Sequence, residues 1–231
     1  MHRIATKRER KIIALLKSST NMSALWKEAI QNRRFVFHLI ITLIGLIVFA
    51  KVLPYFFMEI LLPKEGEVMV DPILNFFPPR DWSIEIFVLT YLCTATSLSF
   101  NLTSPKTILL GFQVYVVVSF LRIASLYLFT FEAPEGIIPL SDPFLGDLAY
   151  GQPIYVKDLF FSGHISTLSV FLFVEKRKLL KNLILFSTVI VAILLAWQRV
   201  HYTLDMVAAP IVTWGVFRFF LWFDEHFVYK N

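Results

Sequence analysis

The sequence predicts an all-α fold: a polytopic membrane protein of six transmembrane helices with both termini in the cytosol. Three observations predict it. Of 231 residues, 57% are hydrophobic and only 17% charged; the apolar residues fall into six long runs; and Lys and Arg gather in alternate segments between those runs. A chain with so little polar surface cannot cover a water-soluble globule, so it must find apolar solvent elsewhere. The 24 Phe and 5 Trp suit helices that face lipid tails and the membrane interface.

A helix needs about 17 to 25 apolar residues to cross a hydrocarbon core. Runs approaching or meeting that length extend from Phe35 to Pro54, Ser83 to Phe100 and Ile108 to Phe131, then from Leu159 to Val174, Leu179 to Trp197 and Leu204 to Phe223. The fourth and fifth are short by strict apolar count. Lys176, Arg177, Lys178 and Lys181 between them have long stems that snorkel to the headgroups, which makes the pair a tight helical hairpin. The division is then a basic tail over 1–34, a six-span domain over 35–223 and a short tail over 224–231.

Orientation follows from the retention of Lys and Arg on the cytosolic side. The N-terminal segment carries Arg3, Lys7, Arg8, Arg10, Lys11, Lys17, Lys27, Arg33 and Arg34; Lys106 lies between runs two and three, and the Lys176 to Lys181 cluster between four and five. The alternate loops are acidic, with Glu65, Glu67, Asp71 and Asp81 in one and Glu132, Glu135, Asp142 and Asp147 in the other. Pro and Gly crowd those loops and predict irregular chain over the non-cytosolic surface. The N-terminal segment is too long ahead of its apolar run for an ordinary cleaved signal peptide, and its stretch from Ile4 to Lys17 reads as a topology signal that touches anionic lipid. The formal charge of +5 does not point to nucleic acid, because the basic residues end apolar runs and form no stripe interleaved with aromatics. Cys93 is the only cysteine, which excludes an intramolecular disulfide.

Chemistry concentrates in two blocks that the topology brings to the non-cytosolic ends of spans four and six. The first runs from Asp158 through Ser162 and Gly163 to His164; the second from Arg199 through His201, Tyr202 and Thr203 to Asp205. Four residues apart on a helix, His201 and Asp205 share a face, so the carboxylate can hold one imidazole nitrogen while the other points at a substrate. Gly163 permits close backbone approach at a helix N-terminus, whose free N–H groups favour an anion. Cleaving a phosphate ester without a metal needs a nucleophile, an acid for the leaving alkoxide and positive charge around the other oxygens. His201 is assigned as nucleophile, forming a phosphohistidine, Asp205 as its orienting carboxylate, and His164 as acid and then base. Arg199 is the first choice of phosphate clamp, ahead of Lys157 and Arg122; Asp158, Ser162, Gly163 and Tyr202 complete the substrate-binding set. No cofactor or metal is assigned.

Plainer readings stand beside these. Arg122 could pair with Glu85, Asp158 could simply cap span four, and Phe76, Phe77, Trp82, Tyr150, Tyr155, Phe160 and Phe161 could form either a cage for a quaternary ammonium or an interfacial belt, the belt being favoured. His164, His201, Asp205 and Asp158 could instead ligate zinc or manganese.

At its two histidine blocks the sequence resembles the sphingomyelin synthase family within the type 2 phosphatidic acid phosphatase superfamily, whose D-x-x-x-S-G-H and H-Y-T-x-D motifs are matched by Asp158 to His164 and His201 to Asp205. Looser similarities are Arg122 to Tyr127 followed by Thr130 and Pro134, and Pro78-Pro79-Arg80-Asp81 ahead of span two. The resemblance implies a six-span fold, a triad of His164, His201 and Asp205 on the luminal or exoplasmic face, and a role in sphingolipid metabolism. The implied reaction is transfer of phosphocholine or phosphoethanolamine from a glycerophospholipid donor to ceramide or another hydroxyl acceptor; relatives hydrolyse lipid phosphates. A homo-oligomer is compatible with it. The sequence departs from the family pattern in carrying Val156-Lys157 where the family has Cys-Gly. It also lacks the Lys-x6-Arg-Pro block of lipid phosphatases and places Arg199 only two residues before His201. A non-catalytic lipid-binding protein is the alternative of another class.

Overall fold

The computed structural model describes residues 22–76, 78–144 and 156–224. The stretch from Ile4 to Lys17, the residues after Asp224, and Phe77, Tyr150 and Tyr155 lie outside the described residues. A short helix over 22–31 precedes the bundle and donates the indole N–H of Trp26 to the Leu102 carbonyl at 2.7 Å. Six apolar helices follow: α1 (Arg33–Tyr55), α2 (Ser83–Asn101), α3 (Pro105–Leu128), α4 (Gly163–Val174), α5 (Lys178–Trp197) and α6 (Thr203–Phe223). Among the described residues there is no β-strand, only an isolated bridge between Glu67 and Phe131.

The helices begin where local chemistry allows. Asn32 caps α1, its Oδ1 accepting the Arg34 and Phe35 amides at 2.9 and 3.2 Å, which satisfies donors that have no partner inside the helix. Near its far end Pro54 removes one N–H from the ladder, and the helix widens into a π turn over Phe56–Leu61. Pro105 opens α3 at a position where a missing N–H costs nothing. Run three was expected to continue to Phe131, but the helix stops at Leu128, because the segment after it pairs with the first outer loop: Glu67 donates to the Thr130 carbonyl and Glu132 to that of Glu67, both at 3.0 Å.

Five of these helices, counting α1 with its π turn to Leu61, are long and apolar enough to cross a membrane; α4 is shorter. The sequence placed its start at Leu159, but Ser162 caps the helix and Leu159 and Phe161 enter the core as buried loop residues. At the bundle's centre, α4 packs against α2, α3, α5 and α6, while α1 lies outside against α3. Burial on most sides explains why α4 shows almost no polar face, with Ile165, Leu168, Val170, Phe171, Leu172 and Val174 all in the core. Twelve residues rise only about 18 Å, so irregular chain continues inward at its ends, and there every exposed backbone group needs a partner. The Phe160 and Phe161 carbonyls accept from Ser125 Oγ and Arg122 Nε, at 2.9 and 2.8 Å. At the other end the Glu175 carboxylate accepts the Lys176 and Arg177 amides.

Candidate active site

The site is built at the starts of α4 and α6; His201 lies two residues ahead of α6 rather than on it, so it reaches Asp205 from before the cap and not along a shared helix face as the spacing suggested. His201 and Asp205 are almost fully buried, and Nδ1 of the ring stands 3.3 Å from Asp205 Oδ2. The same oxygen accepts the Tyr202 amide at 3.0 Å, so one carboxylate both closes the start of α6 and faces the imidazole. Its other oxygen, Oδ1, is buried without a protein partner. The carbonyl of Asp205 accepts the Ser162 amide at 3.2 Å, which fastens the start of α4 to the first turn of α6. That link brings the two sequence blocks together: the charges acting on His164 come from His201, Asp158, Arg122 and Asp142. The His164 ring sits edge-on to Phe87, with centroids 5.1 Å apart.

Arg122 reaches this point from α3. Its guanidinium pairs with Asp158 and with the Phe161 carbonyl, and lies so close to Gly163 that a Cβ there would stand 3.2 Å from Cζ. The glycine is needed for this approach. Arg122 therefore meets Asp158 rather than Glu85. Asp158 does not cap α4; that is done by Ser162, whose Oγ accepts the Ile165 amide at 3.5 Å.

The remaining expected residues are engaged elsewhere. Arg199 takes a left-handed backbone (φ 57°) at the end of α5, and its Nη1 donates to the Glu135 carbonyl at 2.7 Å, so it braces the outer loop. Lys157 bonds Glu132 and the Lys64 carbonyl at 2.7 and 2.8 Å. That bond holds the Glu132 carboxyl below its ordinary value, outweighing desolvation, with help from the Gly66 amide. The buried Tyr202 phenol donates to the Glu132 carbonyl at 3.0 Å and accepts the Met69 amide at 3.3 Å; desolvation raises its pKa. These two bonds tie two loops over the helix start. The aromatic residues divide into separate groups: Trp82 packs on Trp197 and under Arg80, while Phe160 packs on Phe129, Phe131 and Phe161. Among the described residues no three His, Cys, Asp or Glu side chains converge as metal ligands, and Asp158 is already paired with Arg122.

Sequence reasoning missed three positioning residues. Gln198, fully buried, donates Nε2 to Ser83 Oγ and the Ile138 carbonyl, both at 3.0 Å, and accepts the Trp82 amide at 2.8 Å. Asp71 accepts the Thr203 amide at 2.6 Å and so caps α6 from a distant loop. Asp142 accepts from Tyr91 of α2. A polar side chain beside a helix end was the one available signal, and in Gln198 it lay directly before the Arg199–Asp205 block.

No curated protein matches the chain. Residues 157–223, which hold both histidine blocks and the helices that carry them, match the family model described as PAP2 superfamily C-terminal.

Proposed function

We propose that this chain is a membrane-embedded phosphotransferase of the sphingomyelin synthase type, working through a phosphohistidine on His201. The observation that carries the proposal is the Ser162–Asp205 link, which fastens the start of α6, with the aspartate-held His201 just ahead of it, to the start of α4, which carries His164. The match of residues 157–223 fits phosphatase or phosphotransferase chemistry on lipid phosphates.

With Nδ1 facing Asp205, Nε2 of His201 attacks the phosphorus of the donor glycerophospholipid. The bond to the diacylglycerol oxygen breaks, and His164 gives that oxygen its proton. His164, now neutral, takes the proton of the incoming hydroxyl, whose oxygen displaces Nε2 and receives the phospho-headgroup. Asp205 stabilises the cationic ring that forms in between. Arg122, beside Gly163 and within the field of His164, is better placed than Arg199 to balance phosphate charge; Ser162 and Gly163 supply the helix N-terminus. The site belongs on the luminal or exoplasmic face, with both tails of the chain in the cytosol.

A second reading, hydrolysis of phosphatidic acid-like substrates by the same residues, is favoured by the breadth of the matched superfamily. Purified protein, wild type beside His201→Ala, is incubated with fluorescent ceramide plus phosphatidylcholine or phosphatidylethanolamine, and separately with phosphatidic acid. A sphingophospholipid made only by the wild type is the expected result. Diacylglycerol alone would assign hydrolysis, and equal behaviour of the two proteins would leave the lipid-binding alternative.

A further inference from the structure

At the end of the bundle away from the histidines lies a groove of about 920 Å³. Its floor is α3, against which both α1 and α6 pack. Five cationic residues border it: Arg33 and Arg34 at the start of α1, Lys106 at the start of α3, Lys176 in the turn after α4, and Lys181 in α5. All five are exposed, so their charged groups stand at the groove's mouth. The deeper wall is apolar and comes from Leu109, Leu110, Phe173, Phe217 and Leu221.

Two acids also line it. The Glu175 side chain is fully buried and bonded to Asn101 Nδ2 at 2.9 Å, to two turn amides and to Arg177. Burial opposes its charge, but the bonds from the Arg177 backbone, Asn101 and the Arg177 guanidinium prevail and keep it ionised. Its charge is thus directed into the turn and away from the groove. Asp224 is pushed up by burial, with His38 and Lys106 acting against that shift. Five cations against two acids leave the described lining net positive even with both acids charged. Retention of positive charge on the cytosolic side accounts for such residues at helix ends but does not by itself gather them at one place. Here four separate segments bring them to one concavity backed by an apolar wall, which has the two-part chemistry of a phospholipid.

We propose that this groove is a binding site for an anionic glycerophospholipid of the adjoining leaflet, one with a terminal phosphomonoester. The phosphate, carrying about −1.5 to −2 charges, sits among Arg33, Lys106, Lys176 and Lys181, and an acyl chain lies along Phe173, Phe217 and Leu221. The site stands apart from the histidines and does not depend on the reaction assigned to them.

The test uses the full chain in phosphatidylcholine nanodiscs with phosphatidic acid bearing a photoreactive acyl chain, and maps the labelled peptides by mass spectrometry. Label is expected on peptides holding Leu110, Phe173 or Phe217. The triple variant Lys106→Gln/Lys176→Gln/Lys181→Gln should lower it by about fivefold or more, the contribution of at least one such charge near an anionic surface. A thermal unfolding transition matching the wild type's shows that the variant keeps its fold. In the wild type, which needs no variant to fold, unlabelled phosphatidic acid should compete and phosphatidylcholine should not. The proposal fails if the groove takes no label, if phosphatidylcholine competes equally, or if the intact variant labels as the wild type does. Displacement by millimolar inorganic phosphate would also overturn it, by assigning a site for the free anion.

Discussion

A methyl group at position 163 would stand 3.2 Å from Cζ of Arg122 and 3.4 Å from two of its nitrogens. The guanidinium is held from three sides, by Asp158, by the Phe161 carbonyl and by the glycine backbone, so it has little room to yield. Gly163→Ala should therefore move Arg122 by a few tenths of an ångström while leaving the helix itself intact. Because misplacement at a reacting centre costs about 100-fold per ångström, turnover is expected to fall by roughly threefold to sixfold with thermal unfolding little changed. Loss of activity only in proportion to loss of folded protein would assign the glycine to packing alone. The Asp205 carboxylate shows the same economy. One oxygen serves both the α6 amide and His201, while the other stays buried and adds no hydrogen bond to the fold.

At the scale of elements, the outer loops hold the start of α6 through Glu132, whose carboxylate pairs with Lys157 while its carbonyl receives the Tyr202 phenol. Its folded pKa lies below the ordinary 4.5, chiefly because Lys157 donates to it. A carboxyl depressed by folding contributes stability that is fully present above its unfolded value and is lost as pH falls through the folded one. Asp81, depressed by Ser83, acts in the same direction. Thermal unfolding of the wild type should hold steady above about pH 5 and drop under more acidic conditions. Glu132→Gln should flatten part of that drop; an unchanged acid profile would remove the Lys157 pair from the account. These loop contacts were not legible in the sequence, whereas the helices were. An apolar run announces itself locally, and the six helices lie on the six runs, with shifts where Asn32 caps α1 ahead of Phe35, where α1 runs on past Pro54, where Pro105 opens α3 three residues before Ile108, where Glu67 captures Thr130 and where Ser162 caps α4. The contact between His201 and Asp205 was equally legible, since the two stand four positions apart at a predicted helix start. Arg122 and Asp158, Tyr202 and Met69, and Trp82 and Gln198 are joined over 36, 133 and 116 positions, and no local period marks such pairs.

For the molecule as a whole, the arrangement divides polar chemistry between two ends: histidines and acidic loops at one, basic residues around a groove at the other. Replacing the buried Cys93 by Ser and adding single cysteines gives a direct test. In sealed membrane vesicles with the cytosolic face outward, Lys178→Cys should react with a membrane-impermeant maleimide, and Val70→Cys only after permeabilisation. Both sites are exposed, so labelling of both from one side would contradict the bundle's polarity, and the reverse pattern would turn the histidines to the cytosol. The shortness of α4 bears on the reaction itself. A helix of about 18 Å in a hydrocarbon layer of roughly 30 Å leaves some 12 Å to be shared between its two ends, so if α4 crosses the bilayer His164 would stand below the level at which neighbouring headgroups meet water. Under the proposed function a donor lipid would then have to sink to be cleaved. At that depth the hydroxyls of membrane alcohols would be at hand and water scarce, so depth would act as a sieve between acceptors, and the choice between transfer and hydrolysis would become a question of how far down the bilayer the second nucleophile lives.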